Sequence, residues 1–385
     1  MFLPAIFVSL RLMRRQVLTA VLLAGLCMGA AAQRLPERGV PSAPRLEGLW
    51  PLRFELLPPK PDTVTIFVVG DIMSHRAVSK SAEEHGFGSF FRHIGDRIAD
   101  ADLAVGNMEF PLAGKPYTGY PAFSGPDAYA QYLSDVGFDV FLTANNHILD
   151  KGTAGLRRTI DVLEHRGLVY TGVASDAAAD TLLNPLMLHV RGLRLAVINF
   201  TYGTNTGPWD PWPKVNYMRK DDILPMLRRA READLVLVFP HWGTEYRLTH
   251  DPQQEEMARW LVENGADVIL GAHPHVVQDM EYIGDAPVFY SLGNALSNQN
   301  DLNSRLELAV TLRIVLERDQ EPRLLEPACE YLWCTKPGMV EDSYSAVPVS
   351  LPDSLWRVKE DYQNMMATYR KIHEENHSAG GRRPR

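Results

Sequence analysis

Short apolar runs rich in β-branched residues punctuate the chain at 65–69, 103–105, 140–143, 195–198, 235–239, 268–270 and 288–290. Polar stretches with helical spacing separate them, the clearest at 154–166 and 252–264. Strand alternating with helix predicts an α/β fold whose strands are buried on both faces. The run at 306–315 predicts a later, antiparallel strand, and 355–375 carries apolar residues at helical spacing. The tail 377–385, HSAGGRRPR, reads as disordered. No internal repeat is visible.

The first 61 residues follow a different pattern. From Met13 the chain reads MRRQVLTAVLLAGLCMGAAAQ. Arg14 and Arg15 precede an apolar stretch at 17–28, and Ala30, Ala31 and Ala32 supply small residues for cleavage. This is the layout of an export signal, with Met13 as an alternative start. An uncleaved membrane anchor and a lipoprotein attached at Cys27 are the rival readings, and bulky Leu26 argues against the second. All three place the body outside the cytoplasm, periplasmic or extracellular. Residues 33–61 hold seven of the 27 prolines and read as an extended linker. The expected organisation is a signal at 1–32, a linker at 33–61, a catalytic-type domain at 62–320 and an extension at 321–385.

Composition narrows the function. With 39 Lys+Arg against 47 Asp+Glu, the net charge of −8 excludes a nucleic-acid binder built on a basic surface. Three cysteines exclude a disulfide scaffold or a Cys-rich zinc module. Cys329 and Cys334 remain in the body, and export would permit a bond between them.

The chemistry lies just after the strands. The runs end in Gly70-Asp71, Gly106-Asn107-Met108-Glu109, Ala144-Asn145-Asn146-His147, Pro240-His241-Trp242-Gly243, Gly271-Ala272-His273-Pro274-His275 and Ser291-Leu292-Gly293-Asn294. Ligands of open α/β sheets bind outside the carboxyl ends of the strands. Asp, Glu, Asn and His delivered together suit a borderline divalent cation, or two sharing a carboxylate. His273-Pro274-His275 is the sharpest element, because residues two apart on an extended segment share a face. Taken singly, Asp71 also reads as a helix cap, Asn145 and Asn146 as turn residues, His241 as a packed histidine and Asn294 as a strand terminator.

These motifs, GDIM, GNMEFPL, TANNHILDKG, HWGTEY, GAHPHVVQ and YSLGN in this order, resemble the CapA family of bacterial capsule or poly-γ-glutamate synthesis proteins. That family is similar to the calcineurin-like metallophosphoesterases. The resemblance implies a four-layer sandwich of two mixed β-sheets flanked by helices, with one or two divalent metal ions (Mn, Fe, Zn or Mg) at the strand ends. It implies Asp71, Glu109, Asn146, His241, His273 and His275 as metal ligands. His147 would face the scissile group, with Asp150 orienting its ring. Asn107, Asn145, Trp242, Glu245 and Asn294 are the candidates for touching substrate. One departure stands out: Met73 occupies a place where many such enzymes have a histidine, leaving one site a ligand short or rebuilt with His75.

Three uses of such a site follow. The first is an exported metal-dependent hydrolase, of the phosphoesterase type. The second binds, assembles or cleaves an anionic capsule polymer, with Tyr202, Trp209, Trp212, Trp242 and Tyr246 lining a groove and capsule-assembly membrane proteins as partners. The third is a partner-binding protein with a vestigial site.

Overall fold

The computed structural model of the chain describes residues 62–207 and 211–379. The expected signal, the linker and Trp209 lie outside the described residues. The described residues from Thr63 onward form one compact unit. In chain order the elements are β1 (Asp62–Ile72), α1 (Arg76–His85), α2 (Gly95–Asp100), β2 (Leu103–Met108), α3 (Asp127–Val136), β3 (Val140–Leu142), α4 (Gly152–His165) and β4 (Val169–Thr171). There follow β5 (Val173–Ala174), α5 (Ala177–Leu183), β6 (Leu186–Val190), β7 (Leu193–Thr201), β8 (Lys214–Val215), α6 (Lys220–Ala230), β9 (Leu235–His241) and α7 (Pro252–Glu263). The rest are β10 (Val268–Leu270), β11 (Met280–Ile283), β12 (Ala286–Phe289), β13 (Asn294–Leu296), β14 (Leu306–Leu316), β15 (Arg323–Leu324), β16 (Ala328–Thr335), β17 (Ser345–Pro348) and α8 (Lys359–Ala379).

One sheet runs β17-β16-β14-β1-β2-β3-β4, with β13 added beside β1 and β15 beside β14. A second runs β11-β12-β10-β9-β7-β6. Both are mixed: β1 to β4 pair in parallel while β14, β16 and β17 pair antiparallel, and β6 and β11 run against their neighbours.

The alternation of side chains explains why the strands read as unbroken apolar runs. In β1, Phe67 and Val69 pack with Val78 of α1, Leu133 of α3 and Leu156 and Ile160 of α4. Val64, Ile66 and Val68 point the other way and are equally buried. In β7, Ala196, Ile198 and Phe200 pack against Ile223 and Leu227 of α6 and Ala258 and Leu261 of α7. Leu195 and Val197 face the opposite side, also buried. Asn199, on that inner face, reaches the end of β3, where its Oδ1 accepts from the backbone N–H groups of Thr143 (3.1 Å) and Ala144 (2.7 Å). The two inner faces therefore meet, giving helix, sheet, sheet and helix, the expected four layers.

Helix α7 starts where its chemistry dictates. Asp251 caps it in a full capping box with Gln254, and Pro252 takes the first helical position. The expected extension at 321–385 carries β16 and β17, which add two antiparallel strands to the first sheet. The last helix begins and ends later than 355–375 and runs into the supposedly disordered tail as far as Ala379. Cys329 and Cys334 are free thiols. Both lie on β16, five residues apart, so they point to opposite faces with Cα atoms roughly 16 Å apart, far beyond disulfide reach.

Candidate metal centre

The centre forms at the carboxyl ends of parallel strands from both sheets. Asp71 sits on β1 between two partners, in register with Asn107 of β2 and Asn294 of β13. The ladder shifts register beside it. Gly70 makes the close approach possible, because a Cβ there would lie 2.2 Å from the carbonyl oxygen of Gly293. Gly70 N–H donates instead to Glu307 Oε1 at 2.7 Å.

Around Asp71 the polar side chains converge. Its Oδ1 accepts from Asn107 Nδ2 (2.6 Å), and its Oδ2 accepts from the backbone N–H of His273 (3.2 Å) and lies 3.2 Å from His275 Nδ1. Glu109 Oε1 lies 3.6 Å from His241 Nε2 and 3.8 Å from His275 Nε2. Asn146 Oδ1 meets His241 Nε2 at 2.9 Å. Asn294 Oδ1 holds His275 Nδ1 at 2.9 Å. Beside this cluster, Asp150 Oδ2 accepts from His147 Nδ1 at 2.7 Å.

The two imidazoles of His273-Pro274-His275 do reach one site, with ring centroids 6.0 Å apart. The extended backbone expected for them is wrong. His273 has φ 97° and His275 φ 59°. Both occupy the left-handed region that costs a non-glycine residue about 1–3 kcal/mol, a strain the surrounding packing must hold.

Electrostatics make this a poor resting place for uncompensated charge. Glu109 is fully buried, and neither carboxylate oxygen has a hydrogen-bond partner. Burial first, then the charges of Asp71, Glu245 and Asp150, push its carboxyl well above the usual range. Burial, reinforced by His273, His275 and His147, holds His241 well below the ordinary imidazole range. Burial and His275 bring His273 to about 3, against the opposing pull of Asp71. For His275 burial lowers the pKa, but the hydrogen bond and charge of Asp71 outweigh it and the net shift is upward. A buried carboxyl without donors costs several kcal/mol. Neutral imidazoles and an undonated carboxylate are the forms that ligate a cation.

Three overlapping groups have ligand atoms within 4.8 Å of one another: Glu109-His241-His273, Asp71-Glu109-His275 and Glu245-His273-His275. The described residues therefore contain buried donor sets that fit a divalent metal. Glu109 belongs to two of the sets, as a carboxylate shared between neighbouring ions would.

Several candidates take other places. Trp242 does not face substrate: it is fully buried in the core under α7, and its indole N–H donates to the Tyr290 carbonyl at 2.9 Å. Asn145 is buried with Nδ2 on the Met108 carbonyl (3.0 Å), so it braces the Glu109 loop. Asn107 and Asn294 hold Asp71 and His275 and are orienting residues. His75 joins none of the three donor sets. Its Nδ1 accepts the Asn298 N–H at 3.2 Å, and burial, His275, His147 and Lys336 keep it at about 3. Met73 is core. Tyr202 and Tyr246 are half-exposed, their rings 4.5 Å from His273 and 6.2 Å from His275.

Sequence reasoning missed three residues. Asn205 Nδ2 lies 3.1 Å from His147 Nδ1 and 3.3 Å from Asp150 Oδ1. Phe123 packs edge-on against His147 at 4.5 Å and donates its backbone N–H to Asp150 Oδ2 at 2.8 Å. Glu307 buttresses Gly70. The first two lie in loops with no periodic signal. Glu307 was visible only as an acid inside an apolar strand.

The family model for the bacterial capsule synthesis protein PGA_cap matches residues 65–299, more than half of the chain. The chain belongs to that family. Capsule biosynthesis protein CapA of Bacillus anthracis is 31% identical over 65% of this chain and 64% of its own length. PGA biosynthesis protein CapA of Bacillus subtilis (strain 168) is 30% identical over 63% and 66%. The chain thus spans just under two thirds of the length of these relatives. Among solved structures, the 5'-nucleotidase of Candida albicans SC5314 is a remote likeness, with TM-score 0.41 and 12% identity over 82% of this chain and 58% of its own. The site described above falls within the residues the family model matches.

Proposed function

We propose that this PGA_cap-family chain is a metal-dependent hydrolase of the phosphoesterase type, serving capsule or poly-γ-glutamate metabolism. The carrying observation is Glu109, a fully buried carboxylate with both oxygens unpartnered, facing His241 and His275 at under 4 Å. Such a group is stable when a cation completes it. Divalent ions held by Asp71, Glu109, Asn146, His241, His273 and His275 would supply Lewis acidity and a water of lowered pKa.

The chain's own residues supply the rest. Asp150 accepts from Nδ1 of His147, so Nε2 is the nitrogen left for a leaving-group oxygen. Asn205 and the Phe123 N–H hold Asp150, and the Phe123 ring limits the tilt of His147. Tyr202 and Tyr246 line the solvent side.

A second reading rests on the names of the relatives, which concern capsule and PGA biosynthesis. In it the same centre binds a carboxylate-rich polymer or cleaves an amide within it. The export-type segment at 14–32 supports an extracytoplasmic location for either reading. No helix among the described residues is long and apolar enough to cross a membrane.

The test is metal content per chain, by mass spectrometry on protein purified without chelator, alongside hydrolysis of bis(p-nitrophenyl) phosphate and of poly-γ-glutamate. Metal that falls in His273→Ala, with EDTA-sensitive phosphodiester cleavage, supports the leading reading. EDTA-sensitive polymer cleavage alone favours the second. Stripping the metal without any loss of hydrolysis sinks the leading reading and the amide-cleaving form of the second.

A further inference from the structure

The inner donor sets are unequal. Glu109, His241 and His273 are joined by Asn146 Oδ1, which already meets His241 Nε2 at 2.9 Å, making four protein donors. Asp71, Glu109 and His275 make only three. Asn294 is spent on His275 Nδ1, Met73 lies in the core, and His75 belongs to none of the donor sets. One acid remains within reach. Glu245 is exposed, yet its carboxylate lies within 4.8 Å of ligand nitrogens of His273 and His275.

The backbone holds it there. Gly243 at φ 88° and Tyr246 at φ 65° bracket Glu245. A side chain at Gly243 would strike Gln254 at 2.6 Å, so the chain turns tightly over the start of α7. Tyr246 N–H donates to the Pro274 carbonyl at 2.8 Å, sewing this turn to the His273-His275 loop. Left-handed backbone at three non-glycine positions on two joined loops is strain concentrated at one place. A further, independent sign of a ligand is His273 Nδ1, buried and without a partner.

We propose that Glu245 is a cation ligand supplied from the solvent side, closing with His273 and His275 a donor set that overlaps the poorer inner one at His275. This rests on the metal-dependent reading above and deepens it. Oxygen from an exposed carboxylate and nitrogen from imidazole suit Mn, Fe or Zn at that position. The same placement puts a replaceable ligand on the face that substrate approaches.

The experiment is calorimetric titration of chelator-treated full chain with Mn²⁺ and, separately, Zn²⁺, for wild type, Glu245→Gln and Glu245→His. About two equivalents are expected in wild type. In Glu245→Gln one equivalent stays tight and the second weakens by at least about 10-fold, the lower end of what losing even an orienting partner costs. Glu245→His restores it. Because Glu245 is exposed, thermal unfolding of the metal-free variants should match wild type, which separates ligation from misfolding. Unchanged stoichiometry and affinities in Glu245→Gln overturn the assignment, including the case where only substrate KM moves. A wild type with no metal affinity overturns the hydrolase reading itself. A wild type with one equivalent, unaffected by Glu245→Gln, overturns only the role of Glu245.

Discussion

Glu307 gives a prediction whose size follows from the structure. It lies on β14, fully buried, with Oε1 accepting the Gly70 N–H and Oε2 unpartnered. Burial raises its carboxyl to about 8 from 4.5; the Gly70 hydrogen bond opposes the shift and the Asp71 charge adds to it. A raised carboxyl means the native state keeps a proton that the unfolded chain has lost. The stability that Glu307 contributes is therefore fullest below about pH 4.5 and is lost as pH rises through the window to about 8. Each pH unit is worth ~1.4 kcal/mol, so the whole window is worth up to ~5 kcal/mol, less whatever the site relaxes. Glu307→Gln keeps an acceptor for Gly70 and has no proton to lose. Urea unfolding of metal-free wild type and variant, in steps from about pH 5 to about pH 9, measures the difference. The variant should match wild type at the acid end and exceed it by ~2–5 kcal/mol at the alkaline end. A difference between variant and wild type that stays flat with pH would refute the account of Glu307 as a buried, protonated buttress.

Asp150→Asn should leave metal content unchanged and lower turnover about 10²- to 10⁴-fold, the usual worth of a positioned acid–base group, as read by kcat on the hydrolysed substrate. Glu109→Gln should cost metal affinity and abolish the thermal stabilisation that added Mn²⁺ gives wild type, measured by melting with and without the ion. Gly70→Ala should destabilise by at least about 1–3 kcal/mol in urea, since its Cβ would sit 2.2 Å from Gly293 backbone that cannot swing aside. Trp242→Phe should lose about 1–3 kcal/mol of stability through the orphaned Tyr290 carbonyl, with polymer and phosphoester binding unchanged in the surviving folded protein.

Much of the layout was legible along the chain. A strand buried on both faces must be apolar throughout, so β1, β7, β9 and β10 announced themselves as short unbroken runs. A parallel strand ends where its side chains stop being core, and Asp71, Glu109, Asn146, His241, His273 and His275 all stood at such ends. Those identities were determined by local order. What local order could not determine was which side of a turn each residue faces. Trp242 and His241 are neighbours, yet one fills the core beneath α7 and the other faces Glu109. His273 and His275 meet through left-handed backbone that no propensity favours and only the surrounding loops hold. Asn205 comes from the loop after β7 of the second sheet, Glu307 from the strand beside β1 and Phe123 from the loop after β2, and none lies in a motif. Cys329 and Cys334 looked pairable in sequence until the pleat of β16 set them on opposite faces. Hydrophobic pattern is a property of neighbours along the chain. Register, burial and charge compensation are properties of neighbours in space, and only the tertiary structure decides those.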